Sequence, residues 1–175
     1  MKLKNNLLLL LVISGFFLTQ CVSVFGTSDH VDSTRMLSKE DFLRQDILEY
    51  AKKQVGVNYM YGGKDPRGFD CSGFTNYVLK AFDIKVSASS KLQAKEGKKV
   101  ALKDVKCGDL IFFKRSEAGK VFHVAMVVSN TKDGLEVIHS TSRGVVIDNI
   151  SKSKYWKPKI SSARNVVDMA LASEQ

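Results

Sequence analysis

Apolar residues recur at three- and four-residue spacing in the first half of this chain and at alternate positions in the second. Leu43, Ile47, Leu48, Ala51 and Val55 fall on one face of a helix that Ser38 opens, with Asp41 three residues on to close a capping box, and that Gly56 ends. Phe74, Val78, Ala81 and Phe82 give a second apolar face, over a helix from Cys71 to Phe82. A short third helix over Ser90 to Glu96 is stopped by Gly97. From Lys98 the period changes to two. Turn signals at Cys107-Gly108-Asp109, Ser116 to Gly119, Lys132-Asp133-Gly134 and Ser142-Arg143-Gly144 divide this half into strands near 99–102, 109–114, 121–129, 135–140, 144–148 and 159–167. Helices followed by a strand meander, without an internal repeat, predict an α+β domain in which N-terminal helices pack on an antiparallel sheet of five to six strands.

The first 37 residues stand apart from this pattern. Two lysines and then the apolar run Leu7 to Phe17 have the layout of a signal peptide over 1–20 rather than of a membrane span. Leu18-Thr19-Gln20-Cys21 resembles a bacterial lipobox, which would make Cys21 a lipidated first residue; Gln20 departs from that pattern and leaves plain cleavage after Val24-Phe25-Gly26 open. Residues 21–37, rich in Ser, Thr, Asp and Val, form a tether in which His30 has no assigned role, and the domain proper spans 38–175. Removing 1–20 takes away two lysines and no acid, which leaves 25 basic residues against 18 acidic ones, or +7. That excess suits an anionic envelope polymer or membrane surface. Nucleic acid is a poor partner: the chain has no basic helix, aromatic RNA-binding motif or zinc-finger spacing.

The candidate chemistry begins in Tyr59 to Gly73, where four glycines and Pro66 sit in fifteen residues just before the second helix. Such a loop delivers Cys71 to the first turn of a helix capped by Asp70, where unpaired amides and the positive dipole end favour thiolate. The adjacent carboxylate opposes that, so the thiol needs a histidine. Three cysteines do not make a disulfide framework; with Cys21 carrying lipid, Cys71 and Cys107 remain, as a free nucleophile and a turn residue or as a bridge that would cancel the nucleophile.

His123 alternates with Ala125 and Val127 on one strand, and His139 with Val137 on the next. If residue 129 faces 135 across the turn, 125 faces 139, and His123 lies diagonally across from His139 on one face. The chemistry this fits is acyl transfer through a thiolate, with His123 taking the proton from Cys71 and His139 orienting His123. A zinc site is the rival use of the same residues, but HExxH and CxxC spacings are absent and no metal is predicted.

With Cys71, His123 and His139 in this order, the chain resembles the NlpC family of bacterial cell-wall cysteine peptidases, which have a papain-like fold. The resemblance rests on NYMYGG, FDCSGF, KCGDLIFF, FHVAMVVSN, VIHSTSRGVVID and the late pair Tyr155-Trp156, and covers about Leu43 to Val167. It implies Cys71 as nucleophile, His123 as base and His139 as third polar member, with Tyr59, Asp70 and Ser72 at substrate-holding positions. Asn58 stands where many members have Pro, Val86 to Ser90 stand where they read LPRTS, and Cys107 replaces a frequent proline. The implied activity is hydrolysis of peptidoglycan stem peptides at bonds involving D-glutamate or diaminopimelate, through a thioester, without a cofactor. The expected protein is a monomer of the cell envelope, held at a membrane through Cys21. A catalytically silent envelope lipoprotein that binds wall peptides, and a thiol-dependent acyltransferase or amidase, are the alternatives.

Overall fold

The computed structural model describes residues 38 to 172; the leader over 1–20, Cys21, His30 and the tether over 21–37 lie outside the described residues. Helix α1, Lys39–Lys52, starts at a reciprocal box in which Ser38 Oγ accepts the Asp41 N–H at 3.1 Å and the Asp41 carboxylate accepts the Ser38 N–H at 3.0 Å. Ile47 and Ala51 are buried as the pattern predicts, but Val55 is half exposed. The reason is that the helix stops at Lys52, and a turn carries the chain to Gly56, at φ +90°, whose N–H donates to Val145 O. Arg44, a charged residue on the same face, is buried instead.

The glycine loop contains a ribbon too short for any periodicity to reveal, with β1, Lys64–Asp65, antiparallel to β2, Gly68–Phe69. Helix α2, Cys71–Lys80, follows at once. Its first turn lies flat against the loop. Asp70 N–H donates to Gly63 O at 3.0 Å, and a Cβ on Gly73 would collide with that same carbonyl, so only glycine permits this approach. Phe74, Val78 and Leu79 are fully buried, whereas Ala81, expected inside, caps the helix C-terminus and is exposed. Helix α3, Ser90–Gln93, ends three residues earlier than its sequence suggests, and its N-cap Ser89 makes no side-chain cap.

Strands β3, Lys98–Val100, β4, Leu110–Lys114, β5, Val121–Thr131, β6, Gly134–Thr141, β7, Gly144–Asn149, and β8, Ile160–Asn165, form one antiparallel sheet in the spatial order β3-β8-β4-β5-β6-β7. Strand β8 therefore inserts between β3 and β4. It ends at Asn165, two residues before the expected 167, because Asn165 Oδ1 accepts the N–H groups of Val167 and Asp168 and turns the chain into α4, Asp168–Ala172. Alternation divides the sheet residues between two cores. Leu110, Phe112, Val124, Met126 and Ile138 pack against α1 and α2; Ile111, Phe113, Ala125, Val127 and Val137 pack under the chain around Ile150 and Trp156.

The β5–β6 turn differs by one residue from the expected register: Ser129 faces Glu136, and a bulge at Val128 restores the anticipated pairing with Val127 opposite Val137 and Met126 opposite Ile138. Continued one step, that register sets His139 across from Ala125 and on the diagonal from His123.

Helix α1 is tied to the start of β4 by Arg44, which donates through Nε to Glu40 at 2.8 Å and through Nη1 to Cys107 O at 2.7 Å and Asp109 Oδ1 at 2.9 Å. Asp109 Oδ2 also accepts the Lys106 N–H. Both partners are 1 % exposed, so removing one leaves a buried uncompensated charge. Arg44→Ala is expected to lower stability by roughly 3–5 kcal/mol in urea unfolding. The double variant Arg44→Met/Asp109→Leu should cost far less than the sum of its two single changes.

Candidate active site

A cleft of about 790 Å³ opens at the end of the sheet where α2 begins, and Tyr59, Cys71 and His123 all line it. Cys71 is the first residue of α2, and His123 stands two residues inside β5. The backbone amide of Val124, next to His123, and the first-turn amides of Cys71 and Ser72 act on the Cys71 sulfur and lower its pKa, against the larger effect of burial. Tyr59 lines the same cleft from the loop, and burial together with the charge of Cys71 raises its phenol pKa.

Behind His123 runs a chain of polar contacts. His123 Nε2 lies 3.0 Å from His139 Nδ1, and His139 Nε2 lies 3.0 Å from Asp148 Oδ2, which also accepts a hydrogen bond from Arg143. Trp156 covers both imidazoles, stacked on His123 with centroids 4.6 Å apart and tilted over His139 at 5.0 Å. Phe113 closes the other side of His123 at 5.5 Å.

The carboxylate fixes the protons. Asp148 can only accept, so His139 Nε2 carries its hydrogen and His139 Nδ1 is bare; His123 Nε2 must then donate to it, which leaves His123 Nδ1 as an open acceptor. Both rings are held neutral. Burial pushes His123 down to about 3, helped by His139, and burial also lowers His139 against the opposing pull of Asp148. Although burial raises Asp148, the hydrogen bond from His139 and the charge of Arg143 keep its carboxyl below the usual range. Burial pushes the Cys71 thiol up, and Asp70 adds to this, while the Val124 amide offsets part of it. Taken singly, burial favours the uncharged form of both the Cys71 thiol and the His123 imidazole.

Of the residues singled out in the sequence, Cys71, His123 and Tyr59 line the cleft and His139 stands fully buried behind His123. Asp70 and Ser72 do not line it. Asp70 is occupied within the loop: Oδ1 accepts from Gly73 N–H at 2.6 Å and Ser72 Oγ at 3.1 Å, and Oδ2 from Gly62 N–H at 3.1 Å. Cys71 and Cys107 are both free thiols. Among the described residues no group of three or more His, Cys, Asp or Glu is placed to hold a metal ion. Sequence reasoning missed Asp148. The turn signal at Ser142-Arg143-Gly144 could have found it, because a tight turn there pairs His139 with Val146 and sets Asp148 on the diagonal of the same face.

Residues 56–165 match the model of the NlpC/P60 family. The chain is 37 % identical over 134 residues to a gamma-DL-glutamyl hydrolase of Bacillus subtilis, covering 74 % of this chain and 32 % of that protein. A probable endopeptidase of Haemophilus influenzae is 30 % identical over 159 residues, 90 % of this chain and 96 % of its own. This chain therefore spans about a third of the first relative and nearly all of the second. Among solved structures, the NlpC/p60 domain of the peptidoglycan hydrolase SagA superposes with a TM-score of 0.57 at 30 % identity, over 70 % of this chain and 97 % of that one. With more than half its length matched by the family model and a relative aligned almost end to end, this chain belongs to the NlpC/P60 family.

Proposed function

We propose that this protein is an exported cysteine peptidase that hydrolyses amide bonds in peptidoglycan stem peptides, at bonds involving D-glutamate or diaminopimelate, through a thioester on Cys71. The observation that carries the reading is the chain from His123 Nε2 through His139 to Asp148, which leaves one bare nitrogen on an imidazole that lines the same cleft as the Cys71 thiol. As Cys71 Sγ attacks the amide carbon, its proton passes to His123 Nδ1. The imidazolium formed is stabilised through His139 by Asp148, while the first-turn amides of α2 face the charge that develops at the reacting atoms. His123 then gives the proton to the leaving nitrogen, and the amine departs. Water, deprotonated by the same imidazole, attacks the thioester and frees Cys71.

Tyr59 contacts the substrate from the loop side of the thiol, whereas Asp70 and Ser72 serve it indirectly by fixing the loop. Residues 1–20 act as a signal peptide, and lipid on Cys21 anchors the domain to a membrane of the envelope, where its substrate lies.

Cys71→Ala should abolish release of muropeptides from purified peptidoglycan with an unchanged far-ultraviolet spectrum, and His123→Ala should lose nearly all activity. His139→Gln should retain more activity than His139→Ala, because an amide can still orient the base. Asp148→Ala, which frees His139 to take its other tautomer, should lower kcat by about tenfold or more. Full turnover in Cys71→Ala would remove the peptidase reading.

The pH dependence of stability gives an independent check. His123 binds its proton near 6.5 when unfolded and near 3 when folded. Between those values the unfolded state holds the extra proton, so this histidine's contribution is fully present above 6.5 and is lost as the pH falls toward 3. Urea unfolding across that window should show a shallower acid loss in His123→Asn than in the native protein; equal slopes would mean the imidazole is not buried neutral. For the anchor, detergent partitioning of the cellular protein should be lost in Cys21→Ser, and a mature N-terminus at Thr27 would instead mark ordinary cleavage.

A further inference from the structure

Arg115 is a cation of the cleft that the proposed chemistry does not use. It stands in the hairpin between β4 and β5 and lines the same cleft as Cys71 and His123. The other arginine there, Arg143, is engaged by Asp148. Arg115 forms no ion pair with any carboxylate among the described residues, Glu117 of its own hairpin included. Its guanidinium lies instead over the Phe122 ring, 4.9 Å from the centroid, and Phe122 lies 6.2 Å from the His123 ring and stacks at 6.5 Å on Trp156. An aromatic face holds the arginine in one place without consuming its donors, so its planar fork is ready for a ligand.

The side of the cleft decides which part of the substrate Arg115 meets. A base that protonates the leaving nitrogen must stand beside it, so the half of the substrate released as amine lies on the His123 side of Cys71. Phe122 immediately precedes His123 and carries Arg115 to that side. A guanidinium with free donors pairs best with a carboxylate, which can accept two of its N–H groups at once.

Resting on the peptidase reading, we propose that Arg115 is a specificity-determining residue that binds a free carboxylate on the amine-side half of the substrate. Amides whose leaving residue carries an unblocked carboxylate are then cut in preference to the same amides in carboxamide form. The arginine is open to solvent, which limits the preference to roughly tenfold, and it falls mainly on KM because the contact forms equally with substrate and transition state.

Two synthetic stem peptides that differ only in this group, carboxylate or carboxamide on the leaving residue, test the assignment. The native enzyme should show a kcat/KM ratio of about ten in favour of the carboxylate, and that ratio should shrink toward one in Arg115→Gln, stay intermediate in Arg115→Lys and invert in Arg115→Glu. Calorimetric binding of both peptides to Cys71→Ala should show the same preference, lost in Cys71→Ala/Arg115→Gln. Equal cleavage of the two peptides by the native enzyme, or a preference that survives Arg115→Gln, overturns the proposal while leaving the peptidase reading intact. Selective binding without cleavage of either peptide by the native protein overturns the peptidase reading and leaves the carboxylate contact standing.

Discussion

The site depends on how the Asp70 carboxylate is shared. One oxygen holds the Gly73 N–H and the Ser72 hydroxyl, the other holds the Gly62 N–H, and the Asp70 N–H is taken by the Gly63 carbonyl. A single side chain thereby fastens the glycine loop to the first turn of α2, and the missing Cβ of Gly73 lets the two backbones close. Cys71 is wedged between that loop and the edge of β5 as a result. The position determines its chemistry by competition between two effects. A helix N-terminus favours the thiolate by about 0.3–1 kcal/mol, less than one pKa unit, whereas burial moves a titrating group by up to several units. Burial outweighs the dipole and raises the Cys71 pKa, so its ionisation calls for a base.

That requirement explains why so much of the structure behind His123 is spent on one ring. A neutral imidazole has two tautomers, and only the one with Nδ1 bare can take the proton. A carboxylate two rings away enforces the choice, because it cannot donate and each ring between passes the constraint along. Trp156 and Phe113 keep water from offering His123 another partner. The same exclusion of water makes an imidazolium costly and holds the His123 pKa well below its ordinary value.

Most of the architecture was legible because it is periodic. The change from a spacing of three and four to a spacing of two located α1, α2 and the five longer strands, and the turn signals separated them. What escaped was set by distance or by single contacts. Nothing local announces that β8 inserts beside β4, or that Asn165 ends it and starts α4. Val55 and Ala81 satisfy a helical pattern but lie beyond the last helical turn, since a pattern cannot tell where the backbone leaves the helix. Arg44 was invisible as a core residue because its burial exists only with Asp109, sixty-five positions later. In the site, the cysteine and both histidines are readable from spacing, while Asp148 becomes visible only through the register of the β6–β7 hairpin.

His139, Arg143 and Asp148 all belong to the one hairpin of β6 and β7, and Ser140 of that hairpin pins it to the glycine loop through Phe69 O. The second imidazole, the carboxylate that accepts its proton and the neighbouring cation therefore come from one contiguous piece, separate in the chain from Cys71 and His123. The register of that hairpin keeps His139 and Asp148 on one face. An insertion at residues 142 and 143 has the opposite outcome. Where it slides β7 against β6 by one residue, it turns Asp148 to the other face and leaves both imidazoles in place with their tautomers unset, so a lengthened surface turn can disable the polar chain without altering Cys71, His123 or His139.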